Sequence, residues 1–226
     1  MRRWDAFIFD LDGTLIDSEG ETAAIIARVL EGEGVHLGEA DRAFVRGHAW
    51  FDIFEHYRRK YRISTPPETL QEAVVAIKRR EYAGLSPLPG AVEAVGVCRR
   101  LAPVALVSGS SRGEIELALS ALGLRDAFEV ILAGEDYGAG KPAPDGFLVA
   151  ASRLGAAPER TIVFEDSTAG IEAARRAGMR CIAVRAGNPS LPDPAPADLT
   201  IDTLLEVSTD FLESLTFPER PGKKRS

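Results

Sequence analysis

Ala6-Phe7-Ile8-Phe9-Asp10-Leu11-Asp12-Gly13-Thr14-Leu15 is a short apolar run that ends in two carboxylates flanking one leucine. Its length and unbroken apolar character fit a buried strand of a parallel sheet. Alternation along an extended chain sends Asp10 and Asp12 to the same side, and Gly13-Thr14 marks a turn leaving the strand end. Two carboxylates ~4 Å apart repel by about 4 kcal/mol at an effective dielectric of about 20, a large part of the stability of a marginal domain. The pair therefore needs a cation beside it or water around it. A bare Asp-x-Asp is usually a solvated turn, but three later stretches point elsewhere.

Beyond Leu85 the pattern is strand alternating with helix. Pro87-Leu88-Pro89-Gly90 opens a helix toward Leu101, and Val104-Ala105-Leu106-Val107 is a buried-strand run followed by Ser108-Gly109-Ser110-Ser111. A helix is predicted from Arg112 to Leu122, a strand over Glu129 to Ala133, and a helix closing at Leu154-Gly155 after Lys141-Pro142-Ala143-Pro144. Thr161 to Phe164 is the next strand, running into Glu165-Asp166-Ser167 and another helix; Cys181 to Val184 and Asp198 to Ile201 are further short strands. Such alternation predicts right-handed crossovers and a parallel α/β sheet with helices on both faces. Between Leu15 and Leu85 no strand pattern occurs. Helices are predicted there over Glu21–Glu33, Trp50–Tyr61 and Pro67–Ala83, with Phe51, Phe54, Tyr57 and Tyr61 as a packing stripe. The expected organisation is a core of residues 1–16 and 86–217, an inserted all-helical domain over 17–85, and a frayed polar tail over 218–226.

In such sheets ligands bind beyond the carboxyl ends of the strands. Here one strand ends in Asp10 and Asp12, the next in Ser108-Gly109-Ser110, a third leads to Lys141, and a fourth ends in Glu165-Asp166. Each alone has an ordinary explanation, a helix cap or a solvated loop. Together they suit phosphoryl transfer. Asp10, with an ordinary aspartate pKa of about 3.9, is ionised at neutral pH and can attack phosphorus directly. Asp12 can protonate the leaving oxygen and then take a proton from the attacking water. Four acids against one lysine would repel a phosphate dianion, so a hard divalent cation, Mg²⁺ first, is expected among Asp10, Glu165, Asp166 and the carbonyl of Asp12. The Ser108 hydroxyl, the N–H groups of Gly109 and Ser110, and Lys141 supply donors for the phosphoryl oxygens.

Composition narrows the field. With 34 acidic against 27 basic residues the formal net charge is −7, which disfavours a nucleic-acid partner. No apolar run approaches the length of a membrane span and no signal-peptide pattern opens the chain, so a cytoplasmic protein acting on a small phosphorylated metabolite, as a monomer or weak dimer, is expected. Cys98 and Cys181 lack metal-ligand spacing and read as small core residues in a reducing compartment, with a disulfide left open. The histidines His36, His48 and His56 have no metal-site spacing.

Asp-Leu-Asp-Gly-Thr at 10–14, Ser108 after an apolar strand, Gly-Lys-Pro-Ala-Pro-Asp at 140–145 and Phe-Glu-Asp-Ser-Thr-Ala-Gly-Ile-Glu-Ala-Ala at 164–174 resemble the haloacid dehalogenase-like superfamily of phosphotransferases. The continuation through Ala177-Gly178-Met179 is similar to its β-phosphoglucomutase-like branch and the sugar-phosphate phosphatases there. The resemblance implies a Rossmann-like core with a mobile helical cap after the first strand, Mg²⁺ dependence, Asp10 as nucleophile, Asp12 as acid/base, Ser108 and Lys141 on phosphate, and Glu165 and Asp166 on metal. Family dehalogenases lack the second aspartate and need no metal, so that activity is disfavoured. The glucose-phosphate mutases carry a histidine twelve residues after the nucleophile, where this chain has Thr22, and a cap arginine where it has Trp50; a cap lysine is retained as Lys78. Those losses favour a phosphatase of sugar or polyol phosphates over a β-phosphoglucomutase-type mutase, with a phosphoglycolate-type phosphatase as a further alternative. Ser18, Thr22, His48, Trp50 and Lys78 are the candidates for the cap surface that meets the substrate, although packing explains each of them as well.

Overall fold

A computed structural model describes residues 3–17, 19–45, 50–81, 87–185, 188, 191–192 and 195–217. Six parallel strands, β1 (Ala6–Phe9), β2 (Val104–Val107), β3 (Val130–Leu132), β4 (Thr161–Glu165), β5 (Arg180–Val184) and β6 (Leu199–Ile201), form one Rossmann-like sheet in the order β3-β2-β1-β4-β5-β6. The chain adds strands on one side of β1 and then crosses to the other, so strand order reverses at β1 and β4. Crevices at such a reversal are where open α/β sheets hold ligands. Register is direct: Phe9 lies beside Leu106 on one side and Phe164 on the other.

The apolar run of β1 is continuous because both sheet faces are covered. Phe7 and Phe9 belong to the core under α5 (Ala91–Leu101), α6 (Arg112–Ala121) and α9 (Thr209–Ser214), with the Phe9 and Phe164 rings stacked at 4.6 Å. Ile8 faces the opposite core, built with α7 (Asp145–Leu154) and α8 (Thr168–Arg176). Cys98 belongs to the first face and Cys181 to the second; both are buried and free, which closes the disulfide question.

The segment between β1 and α5 carries α1 (Glu19–Gly32), α2 (Glu39–Phe44), α3 (Trp50–Tyr61) and α4 (Pro67–Glu81). It has its own apolar cluster, including Ile26, Leu30, Phe54, Tyr57 and Val74. The predicted stripe is packing at Phe54, Tyr57 and Tyr61, the Tyr61 hydroxyl also donating to Asp41 at 2.6 Å; the Phe51 side chain lies outside the described residues. Residues 82–86 and the expected tail over 218–226 lie outside the described residues. At the root of this segment Ile16 bridges Pro87 and Leu88 N–H donates to the Leu15 carbonyl at 2.9 Å. Among the described residues no helix is long and apolar enough to cross a membrane.

Several boundaries differ from the sequence reading. The first helix runs Glu19–Gly32, β3 spans only Val130–Leu132, β4 extends through Glu165, and β5 begins at Arg180. Short helices α2 and α9 fell below the length at which periodicity speaks.

Candidate active site

Burial and backbone pairing carry β1 beyond its last paired residue: Asp10 N–H donates to the Phe164 carbonyl at 3.0 Å, placing Asp10 level with the end of β4. Leu11 turns into the apolar core, so Asp10 and Asp12 both face the crevice. They do not share one environment, however. Lys141 bridges Asp10 and Glu165. The Asp12 carboxylate instead accepts from Ser108 Oγ at 3.1 Å and Ser110 Oγ at 2.7 Å. One acid is thus paired with an ammonium and the other is oriented by two neutral hydroxyls.

Gly13 makes the turn that follows Asp12. Its φ of +82° is strained for any residue with a Cβ, and a Cβ there would lie 2.2 Å from Asp166 Oδ2. Asp166 is held from both sides, by the Thr14 hydroxyl on its carboxylate at 3.2 Å and by Asn188 Nδ2 on its carbonyl at 3.2 Å. Glu165 accepts from Ser167 N–H and Ser167 Oγ, both at 2.9 Å, and a Cβ on Gly170 would fall 1.8 Å from its Oε1. Ser167, not Asp166, caps α8.

Asp10, Glu165 and Asp166 are buried and can each offer an oxygen within 4.8 Å of the others. Lys141 pairs with two of the three, Asp10 and Glu165. Burial pushes the Asp10 carboxyl up to about 8; Lys141 opposes this, while Glu165 and Asp12 add to it. Burial works to lower the Lys141 pKa, but the Asp10 and Glu165 carboxylates outweigh it and hold the ammonium above its ordinary value. The expectation of an ordinary, low aspartate pKa for Asp10 is therefore corrected: in protein alone this carboxylate resists ionisation, because water is excluded and like charges crowd it. A hard dication fits this cluster, since all three donors are carboxylate oxygens within reach of one another and a cation among them relieves the crowding of like charge.

At the end of β2, Ser108 is fully buried. Ser110 N–H, expected to face phosphate, donates to Ser108 Oγ at 3.0 Å, so the turn satisfies itself internally. A Cβ on Gly109 would meet nothing within 4 Å, whereas one on Gly134 would lie 2.8 Å from the Gly109 carbonyl. The open space is thus above Gly109, and the close backbone approach is made by Gly134. Tyr137 donates its hydroxyl to the Ser108 carbonyl at 3.0 Å, a support that sequence reasoning missed. Ser111 caps α6 in a reciprocal box with Glu114, a Ser-x-x-Glu signal that was available in the sequence.

The candidates on the helical segment are less united. Lys78 is buried and pairs with Glu114, its Nζ 3.7 Å from Oε1. Thr22 is half-buried on α1. Ser18 and His48 lie outside the described residues, and Trp50 is described only as the first residue of α3. Of the other histidines, His56 stacks on Phe44 at 4.1 Å and His36 is exposed.

The haloacid dehalogenase-like hydrolase family model matches residues 4–178. This chain is a haloacid dehalogenase-like hydrolase. It is 33% identical over 184 residues to the fructose-1-phosphate phosphatase YqaB of Escherichia coli, covering 81% of this chain and 97% of that protein. It is 31% identical over 207 residues to the validoxylamine A 7'-phosphate phosphatase of Streptomyces hygroscopicus subsp. limoneus, covering 88% and 94%. Among solved structures, a β-phosphoglucomutase-like protein of Thermotoga maritima superposes with a TM-score of 0.78 at 29% identity, covering 93% of this chain and 100% of that one. The hydrolase thus sits in the branch that its motifs indicated.

Proposed function

We propose that this hydrolase is a Mg²⁺-dependent phosphatase of small phosphomonoesters, sugar or polyol phosphates, working through a phosphorylated Asp10. The observation that carries the reading is the division of labour between the two acids of β1's end, one ion-paired with Lys141 beside Glu165 and Asp166, the other oriented by Ser108 and Ser110. Names of two relatives, phosphatases of sugar-like phosphates, support the substrate class.

In this reading Asp10, Glu165, Asp166 and the Asp12 carbonyl would hold the dication, which would supply charge neutralisation to the phosphoryl group and to Asp10. Asp10 Oδ attacks phosphorus, the ester P–O bond breaks, and Asp12 gives its proton to the departing alkoxide. Ser108 and Lys141 hold the phosphoryl oxygens, for which the Ser110 N–H is released from Ser108 Oγ. Asp12, now ionised, takes a proton from water as it attacks the acyl phosphate. Inorganic phosphate leaves and both acids return to their starting states. The helical segment, residues 17–85, acts as a cap that excludes water and contacts the leaving group, with Lys78 facing the phosphate turn.

Phosphate release across sugar, polyol and short-acid phosphates, with Mg²⁺ and with a chelator, tests this. Turnover that requires the metal and favours sugar or polyol phosphates supports it. Net isomerisation of a hexose phosphate primed by a sugar bisphosphate, without free phosphate, would replace hydrolysis with the mutase reading.

A further inference from the structure

Glu114 belongs to the first turn of α6, yet its carboxylate serves both halves of the chain. Oε2 accepts from Ser111 N–H at 3.0 Å and from Ser111 Oγ at 2.7 Å. Oε1 faces Lys78 Nζ of α4 at 3.7 Å. Both side chains are withdrawn from water, 6% exposed for Lys78 and 8% for Glu114. A glutamate that only capped its own helix would gain nothing from such burial, and an ammonium carried on α4 would lose hydration by coming here. Buried charges persist where they are paired, so the position of α4 and the charge on Glu114 depend on each other. The connection continues inward. Ser111 follows Ser110, whose hydroxyl orients Asp12 and whose N–H holds Ser108 Oγ.

We propose that Glu114 is a positioning residue shared by the two halves: through Lys78 it seats the helical segment on the turn that grips the phosphoryl group, and so sets how well a substrate with a bulky leaving group is held. It does not touch the reacting atoms. A leaving group large enough to reach α4 depends on the pair, and a minimal phosphoryl donor such as acetyl phosphate depends on it less. This inference rests on the phosphatase reading for its kinetic consequence, although not for the contact itself.

Glu114→Gln separates the roles, because its amide oxygen can still accept from Ser111 while the charge facing Lys78 is gone. Glu114→Gln and Lys78→Met are each expected to lower kcat/KM for the best sugar phosphate about tenfold, mainly through KM, and the double variant to be no worse than either single one. The loss on acetyl phosphate is expected to be several-fold smaller. Amide exchange over residues 67–81 is expected to quicken in both single variants. Additive losses, equal losses on both substrates, or unchanged exchange over α4 would each overturn the proposal. If the wild-type protein releases phosphate from no ester while exchange still quickens, the phosphatase reading falls and the contact stands.

Discussion

Gly170→Ala sets two calculable effects against each other. Gly170 lies inside α8, where alanine ordinarily stabilises a helix by ~0.5–1 kcal/mol. Its new Cβ, however, would lie 1.8 Å from Glu165 Oε1 and 1.9 Å from its Cδ. The carboxylate is almost fully buried and is held on one oxygen by Ser167 and on the other by Lys141. It can move only by giving up some of these bonds, at ~1.5–3 kcal/mol for each one to a charged group. The displacement term exceeds the helix term, and the net is a loss of about 2 kcal/mol. Gly96→Ala in α5 is the matched control, since its Cβ would meet nothing nearer than Arg100 Nη1 at 4.0 Å. Denaturant unfolding of the metal-free proteins should show Gly96→Ala more stable than wild type and Gly170→Ala less stable. Phosphate release should require more Mg²⁺ in Gly170→Ala, because one oxygen ligand has been pushed aside. A Gly170→Ala protein as stable as Gly96→Ala, with an unaltered Mg²⁺ requirement, would refute the packing argument around Glu165.

Other outcomes follow from the same geometry. The folded-state pKa of Asp10 is raised from 3.8 to about 8, so its contribution to stability is present below pH 3.8 and is lost as pH rises through 8; metal-free wild type should weaken across that window in urea titrations, and Asp10→Asn should flatten the slope. Lys141→Met leaves Asp10 and Glu165 facing each other without their ammonium, and should cost ~3–5 kcal/mol in metal-free unfolding, with part of that recovered on adding Mg²⁺. Ser110→Ala removes the shorter of two hydroxyl bonds to Asp12 and should lower kcat about tenfold while KM changes little, measured by steady-state phosphate release. Tyr137→Phe deletes the bond to the Ser108 carbonyl and should cost ~1 kcal/mol of stability in the same unfolding assay.

The sheet was legible because its strands are buried on both faces, which leaves unbroken apolar runs at residues 6–9, 104–107 and 162–164. The clustering of the candidate site was legible because chemistry-bearing residues stand at the ends of those runs, and parallel topology brings such ends together. What escaped were interactions between elements distant in sequence. Asp12 and Ser110 are 98 positions apart, and Thr14 and Asp166 are 152 apart; no local pattern joins them. Nor does an Asp-x-Asp motif reveal that one acid meets a lysine and the other a pair of hydroxyls. The pKa of Asp10 was misjudged for a related reason, since the ordinary value assumes water that the folded crevice excludes. The glycines at 13 and 170 are explained only once carboxylates are seen where their side chains would be.

Trapping the phosphorylated enzyme tests the central assignment most directly. Protein mixed with Mg²⁺ and a turned-over sugar phosphate, quenched within one catalytic cycle and reduced with borohydride, should yield a tryptic peptide carrying homoserine at position 10, formed from the acyl phosphate. Turnover with position 10 still aspartate under those conditions, or with the phosphoryl group found on another side chain, would contradict it.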